Sequence, residues 1–149
     1  MKALQCVELA GPEKLIFTEV DDPKLSSGQV LLEIKAASVN FPDVLMIQGL
    51  YQNQPPMPFI PGAECSGVIT EIGEGVDSCN VGDHVFVMTG TGCFAEKLVV
   101  EAKSVSLIPK TMDFPVAAAL PMTYGTSLYA LKQRANLQPG ETLLVLGAA

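Results

Sequence analysis

Residues 61–69 read PGAECSGVI, and the sequence continues through Thr70-Glu71-Ile72. The proline and the glycine at its start are typical of a loop, and residues 64–72 have the length and composition of a β-strand. A glycine inside a strand marks a bulge or the close approach of another backbone. Gly67 therefore predicts that a neighbouring chain segment lies against this strand.

On the N-terminal side, the pattern predicts two short strands at residues 1–9 and 15–20 that pair as a hairpin. Residues 29–39 predict a long strand, because Leu32, Ile34 and Ala36 alternate with charged residues. A short helix is expected at residues 44–48, with Pro42 in its first turn. Four prolines make residues 50–61 a loop, which is either plain surface or the wall of a cleft that holds Tyr51 and Phe59.

On the C-terminal side, further strands are expected at residues 85–88, 93–100 and 104–108. The regular spacing of short strands and turns predicts a small, partly open β-barrel or a sandwich. The pattern then changes: Asp113 can cap a helix at 116–120, and residues 122–134 resume a helix after Pro121. The apolar run at residues 142–146 is typical of a strand that is buried on both faces. The fold class is thus β-rich α+β, a partly open barrel with short helices.

Composition excludes several classes of function. The chain has 149 residues, of which 48% are hydrophobic and 17% charged. This composition is enough to form a hydrophobic core and excludes a disordered chain. Its formal net charge of −7 and the lack of a basic run argue against nucleic acid and anionic membranes as partners. The sequence has neither an apolar run of membrane-spanning length nor a signal-peptide pattern, and we expect a cytoplasmic protein.

The cysteines and the histidine predict neither a disulfide framework nor a zinc site. Cys6, Cys65, Cys79 and Cys93 form no closely spaced pair, which structural zinc sites usually need. Whether Cys65 and Cys93 meet in space is left open by the sequence. The single histidine, His84, lies where a turn leads into a strand, and we expect a surface or half-buried turn histidine.

Four segments in this order resemble one family: 37–43 (ASVNFPD), 61–69 (PGAECSGVI), 81–85 (VGDHV) and 142–149 (TLLVLGAA). They are similar to the medium-chain dehydrogenase/reductase superfamily, and within it to the zinc-free quinone oxidoreductases, the zeta-crystallin-like group. The resemblance implies a GroES-like catalytic domain at residues 1–112. It also implies that residues 113–149 are linking helices and the first strand of a nucleotide-binding Rossmann domain, truncated there. NADPH would bind in the cleft between the two domains.

The resemblance also implies the site residues. Zinc-dependent members carry a cysteine where this chain has Asn40 and a histidine where it has Ala63, and the four-cysteine zinc lobe is replaced by residues 89–92, so no zinc is expected. Asn40 and Tyr51 would be catalytic, and Asn40 and Thr126 would bind the cofactor. From the residues alone, Asn40 could equally be a helix cap, Tyr51 a loop anchor and Thr126 a hydroxyl on a helix face. Glu64, which lies near the metal in zinc-dependent members, is expected here to be a hydrogen-bonded structural carboxylate.

The expected function is NADPH-dependent hydride transfer to a small-molecule quinone or an α,β-unsaturated carbonyl compound, with a homodimer as a further expectation from the family. Two alternatives stay open: a cofactor-free GroES-like binding module, since fold does not fix function, and a zinc-dependent alcohol dehydrogenase with atypical ligands. We expect residues 1–149 alone to be inactive and to bind NADPH weakly. The strand at 142–146 would be disordered, folded back or paired with another chain.

Overall fold

The computed structural model describes residues 1–147, so Ala148 and Ala149, which end the last predicted segment, lie outside the described residues. Within these described residues, seven strands form two open antiparallel sheets that are not closed into a barrel. In chain order they are β1 (Lys2–Gln5), β2 (Ile16–Glu19), β3 (Gln29–Ser38), β4 (Glu64–Ile72), β5 (His84–Met88), β6 (Lys97–Glu101) and β7 (Val105–Leu107). Strands β1 and β2 pair with each other, and the other five form a sheet in the order β6-β3-β4-β5-β7. The predicted β-rich α+β class is confirmed.

Strand β4 occupies the middle of the larger sheet, and Gly67 is the reason why β3 can approach it closely. Gly67 pairs with Ile34, next to a register shift between Ile34 and Ala36. A Cβ atom built on Gly67 would lie 2.1 Å from the carbonyl oxygen of Glu33, much closer than any real contact. The predicted close backbone approach is confirmed, and it is a property of the β3–β4 pair.

The helices are short. Helix α1 (Phe41–Ile47) begins with Asn40 at its N-cap position and Pro42 in its first turn, as the sequence predicts. Helix α2 (Phe114–Ala118) has Asp113 at its N-cap position, but the Asp113 side chain makes no capping hydrogen bond, contrary to expectation. One helical segment follows, with wide π-helical turns at Leu120–Tyr124 and Tyr129–Arg134 on either side of α3 (Gly125–Leu128). Short 3₁₀ turns lie at Pro12–Lys14 and Ala102–Ser104.

Two strand predictions need correction. The strand expected at residues 93–100 begins only at Lys97, because the backbone before it bonds to other segments: Cys93 donates its N–H to Gly62, and Phe94 accepts from Leu4. Residues 142–146 form no strand, and their side chains are largely exposed, with Leu146 at 83%. A strand needs a partner for its N–H and C=O groups, and this segment pairs with no strand within residues 1–147.

The core lies on the larger sheet and is built from small aliphatic and cysteine side chains. Its buried members are Val30, Leu32, Cys65, Ile69, Cys79, Val85, Val87, Cys93, Val100 and Ala102. A second, smaller cluster joins α1 to the following loop through Met46, Ile47 and Phe59. None of the helices found in residues 1–147 has the length and apolar character needed to span a membrane.

Candidate functional site

A cavity of about 380 Å³ opens beside α1. Its walls are formed by α1, the proline-rich loop, the residue before β4, the end of β5 with the loop that follows it, and the start of the C-terminal helical segment. The lining residues are Pro42, Met46, Tyr51, Asn53, Gln54, Pro55, Ala63, Met88, Thr89, Gly90, Thr91 and Met122. The proline-rich loop therefore forms a wall of a cleft through Tyr51, which is the second of the two interpretations that the sequence left open. Phe59 does not line this cleft, because its side chain is buried against Met46 and Ile47.

Asn40 lies at the junction of β3 and α1. The Asp43 carboxylate accepts the backbone N–H of Asn40 at 2.8 Å, which anchors the start of the helix. The side-chain amide of Asn40 turns the other way: its Nδ2 donates to Glu64 Oε1 at 2.9 Å and to Ser38 Oγ at 3.0 Å. Asn40 is thus both a helix N-cap by position and a member of a buried side-chain network.

Glu64 is the centre of that network. Its side chain has no exposed surface, although it begins the central strand β4. Oε1 accepts hydrogen bonds from the Ser38 hydroxyl and from the Asn40 amide. Oε2 accepts the backbone N–H of Met122 at 2.7 Å. Three donors compensate for the cost of burying the carboxylate, which agrees with the expectation of a hydrogen-bonded structural carboxylate.

Asp43 is a second buried carboxylate, at 3% exposure. Burial raises the pKa of Asp43, and the nearby Glu64 charge adds to this, while hydrogen bonds from the backbone N–H groups of Asn40, Ala63 and Gly62 oppose the shift. Its Oδ1 nevertheless has no partner with good hydrogen-bond geometry among residues 1–147. Two buried acidic side chains therefore follow directly after the cavity-lining residues Pro42 and Ala63, and Glu64 is fully bonded whereas Asp43 is not.

Of the three predicted site residues, the structure places one in the cavity wall, one next to the wall and one outside it. Tyr51 is half-buried in the cavity wall. Asn40 does not itself line the cavity, but its neighbour Pro42 does, and so does Met122, to which Asn40 is joined through Glu64. Thr126 is exposed on α3, one helical turn beyond Met122, and does not line the cavity. The roles of all three residues stay predictions.

Sequence reasoning missed Met122 and the stretch 89–91, which form much of the cavity wall. Met122 contributes its backbone N–H as well as its side chain, and a backbone donor has no signal in the sequence. The family resemblance marks the stretch Thr89-Gly90-Thr91 only as the replacement of a zinc lobe, yet its Thr-Gly-Thr composition is typical of a tight turn that leaves open space beside it.

The buried thiols of Cys65 and Cys93 meet behind this site. The Cys93 sulfur also lies 3.4 Å from the Thr89 hydroxyl oxygen. The hydrogen bond with the Cys93 thiol is the main cause of the raised pKa of Cys65, and burial raises this pKa further. The question that the sequence left open is answered: the two cysteines are neighbours, and both are free thiols.

His84 opens β5 and is half-buried, as the sequence predicts. Its ring packs against Phe114 at the start of α2, with the ring centroids 4.7 Å apart. The Nδ1 atom is buried and has no hydrogen-bond partner in the part of the chain that the structure describes. Within residues 1–147, no group of three or more histidine, cysteine, aspartate or glutamate side chains has the arrangement needed to hold a metal ion.

Comparison with known proteins supplies the family. Residues 26–110 match the model of the alcohol dehydrogenase GroES-like domain. A quinone oxidoreductase-like protein 2 homolog of Nematostella vectensis is 39% identical over 149 residues, which are 99% of this chain and 40% of that protein. The chain therefore spans about two fifths of the length of this curated relative.

Solved structures agree with the sequence match. A probable oxidoreductase from Mycobacterium abscessus superimposes with a TM-score of 0.88 at 38% identity, covering 95% of this chain and 45% of that one. The quinone oxidoreductase of Thermus thermophilus, which was also solved in complex with NADPH, gives a TM-score of 0.82 at 32% identity, covering 95% and 43%. The match to the family model takes in more than half of the chain, and the resemblance read from the four motifs is confirmed. The chain belongs to the alcohol dehydrogenase GroES-like domain family of the medium-chain dehydrogenase/reductase superfamily.

Proposed function

We propose that this chain is the catalytic part of an NADPH-dependent, zinc-independent oxidoreductase that transfers hydride to a quinone or an α,β-unsaturated carbonyl compound. The observation that carries the proposal is the cavity beside Asn40: Ala63 lines it and Asn40 lies next to it, at the two positions where zinc-dependent members would carry a histidine and a cysteine. The relatives named above support an oxidoreductase. A Rossmann domain following residues 113–149 would supply most of the NADPH-binding surface.

The cavity suits the reactive end of the proposed cofactor and a small acceptor. Its volume of about 380 Å³ falls in the range of ordinary ligand pockets, and its walls are mostly apolar, with polar groups from Tyr51 and the Thr89–Thr91 stretch. When bound, NADPH would supply a hydride to the acceptor. Asn40 would hold the nicotinamide side of the cofactor, and Thr126 would contact it from α3 at the edge of the cleft.

The residues of the chain would then orient the acceptor and exclude water. Hydride addition to a conjugated carbonyl moves negative charge to its oxygen, and a proton from the solvent completes the reduction. Donors fixed in a dry cavity stabilise that charge. The Ser38 hydroxyl oxygen and Glu64 Oε1 are hydrogen-bonded to each other and lie side by side, so a single N–H of the Asn40 amide can point between them. The second N–H of that amide would then be available to a ligand. The Tyr51 hydroxyl would be a further donor.

Zinc independence is supported by the chemistry of the side chains at the two expected ligand positions. The Ala63 side chain has no atom that could coordinate a metal, and the neutral Asn40 amide lacks the thiolate or imidazole that zinc prefers. Quinones and conjugated carbonyls accept hydride without a Lewis acid more readily than simple ketones do. Elemental analysis of the purified protein tests this part: stoichiometric zinc would contradict it.

The activity itself is tested with the protein that carries this chain together with its nucleotide-binding domain. NADPH absorbance should fall in the presence of a quinone, an enone or an enal, and not with simple alcohols and NADP⁺. NADPH oxidation that is independent of every such acceptor would contradict the proposal. Asn40→Ala should lower kcat/KM by about 100-fold, the usual loss for one charge-stabilising donor, and an unchanged kcat/KM would remove Asn40 from the site.

The remaining parts of the proposal concern the cell and the assembly. Four free, buried cysteines fit a reducing compartment, so we place the protein in the cytoplasm. A homodimer formed through the nucleotide-binding domain is proposed from the family. Fractionation of cells and light scattering of the purified protein test these two points separately.

A further inference from the structure

We propose that Glu64 is a positioning residue for this reaction: its two carboxylate oxygens fix the Asn40 amide and the Met122 backbone in one geometry across the floor of the cavity. This inference rests on the function proposed above. It assigns to Glu64 a role beyond filling the core, since it acts on the reaction through Asn40. Glu64 itself reaches no part of the cavity surface.

The two oxygens serve different segments of the chain. Oε1 receives the Asn40 amide and the Ser38 hydroxyl, both from the junction of β3 and α1. Oε2 receives the backbone N–H of Met122, from the π-helical turn that starts the C-terminal helical segment. These segments are far apart in sequence, and the carboxylate is the group that bonds to both. The Glu64 side chain thus links the start of α1 to Met122, and both α1 and Met122 line the cavity.

The carboxylate also fixes which way the Asn40 amide points. A carboxylate oxygen accepts and does not donate, so the amide atom 2.9 Å from it must be the nitrogen. Turning the amide over would bring Asn40 Oδ1 against Glu64 Oε1, two acceptors in contact inside the protein. Hydrogen bonds to a charged group in a buried site are about twice as strong as neutral ones. The second amide N–H is therefore held in one direction before any ligand arrives.

The first test is a double-mutant cycle in the full-length protein. Glu64→Gln should lower kcat/KM for NADPH about tenfold, the lower end of the effect of supporting residues around an active group. In an Asn40→Ala background the same change should cost less than twofold, because the side chain through which Glu64 acts is gone. An equal loss in both backgrounds, or a Glu64→Gln variant within twofold of the wild type, would overturn the proposal.

A matched pair of serine variants tests the proposal independently if Glu64→Gln misfolds. Ser38 and Ser66 lie on adjacent strands, but Ser66 donates its hydroxyl to the Phe114 carbonyl oxygen at 2.6 Å, away from the cavity. Ser38→Ala should lower kcat/KM about fivefold, as expected for one hydrogen bond, whereas Ser66→Ala should leave it unchanged even if the melting temperature falls. Equal kcat/KM values for the two variants would count against the proposal.

Nitrogen NMR gives a readout that does not need turnover. The two Asn40 Nδ2 protons should differ strongly in chemical shift in the wild type, since one is bonded to Glu64 and Ser38, and this difference should shrink in Glu64→Gln but not in Ser66→Ala. Unchanged Asn40 amide signals in Glu64→Gln would overturn the positioning role. A wild-type protein that turns over no acceptor but shows these signals would instead contradict the proposed function, which separates the two failures.

Discussion

Gly67→Ala tests the close packing of β3 against β4, on which the position of Glu64 depends. The new Cβ would lie 2.1 Å from the Glu33 carbonyl oxygen and 3.1 Å from the Ile34 Cα, and both are backbone atoms. A carbon atom needs about 3.3 Å from a carbonyl oxygen, so the strands would have to separate locally by about 1.2 Å. Neighbouring strands are about 4.8 Å apart, and such a displacement breaks the adjacent hydrogen bonds.

The expected cost follows from these two effects. Overpacking costs about 1–3 kcal/mol, and one or two lost backbone hydrogen bonds cost about 1 kcal/mol each. We expect Gly67→Ala to lower the free energy of unfolding by about 3 kcal/mol, or the melting temperature by about 10 °C for a chain of this size. Urea unfolding followed by circular dichroism measures the difference.

The matched control is Gly125→Ala, where the sign of the effect should reverse. Gly125 lies at the start of α3 with a helical φ of −61°, and a Cβ built there meets no atom within 4 Å. Alanine should stabilise this position by about 0.5–1 kcal/mol, because the unfolded chain loses conformational freedom. A Gly67→Ala protein within about 0.5 kcal/mol of the wild type would refute the reasoning, since that margin is typical of harmless surface changes.

Three further outcomes are expected. Hydrogen bonds from the Lys97 amine, which has the larger effect, and from the N-terminal ammonium group lower the pKa of Asp22 to about 2. The folded pKa lies below the unfolded one, so the stability that Asp22 contributes is present above pH 3.8 and is lost as the pH falls towards 2. Asp22→Asn should therefore reduce the loss of unfolding free energy between about pH 4 and pH 2, measured by urea unfolding. An unchanged pH dependence would exclude Asp22 as its source. The buried thiols of Cys65 and Cys93 should react with a thiol reagent only after urea is added, and rapid labelling of the native protein would show that this part of the core opens. Tyr51→Phe should lower kcat about tenfold with little change in the melting temperature, whereas an unchanged kcat would leave Tyr51 as a wall residue only.

Much of the fold could be predicted because several segments carry strong local signals. The strand Glu64–Ile72 was predicted with its observed bounds, and β3 was predicted to within one residue, because its alternating pattern matches a sheet with one buried face. Pro42 and Gly49 delimit α1 by what their backbones allow. The four prolines of the loop excluded regular structure there for the same reason.

The two strand errors lie where a segment depends on distant partners. Residues 142–146 are apolar enough for a strand, but a strand exists only where another strand accepts its hydrogen bonds. Residues 93–96 lost their predicted strand because Cys93 and Phe94 bond to the loop before β4 and to β1. The side chain of Asp113 does not cap α2, although its residue type and position fit a cap.

The sequence by itself determined the chemistry available to the site: the asparagine and the alanine at the expected metal-ligand positions, the aromatic residue in a stiff loop, and a carboxylate at the start of the central strand. Only the tertiary structure decided what that carboxylate does. Residues 38, 40 and 122 contribute a hydroxyl, an amide and a backbone N–H that converge on Glu64, at 2.9 Å from the amide and 2.7 Å from the backbone nitrogen. Local patterns record propensity and burial, whereas hydrogen bonds between segments far apart in sequence exist only once the chain has brought them together.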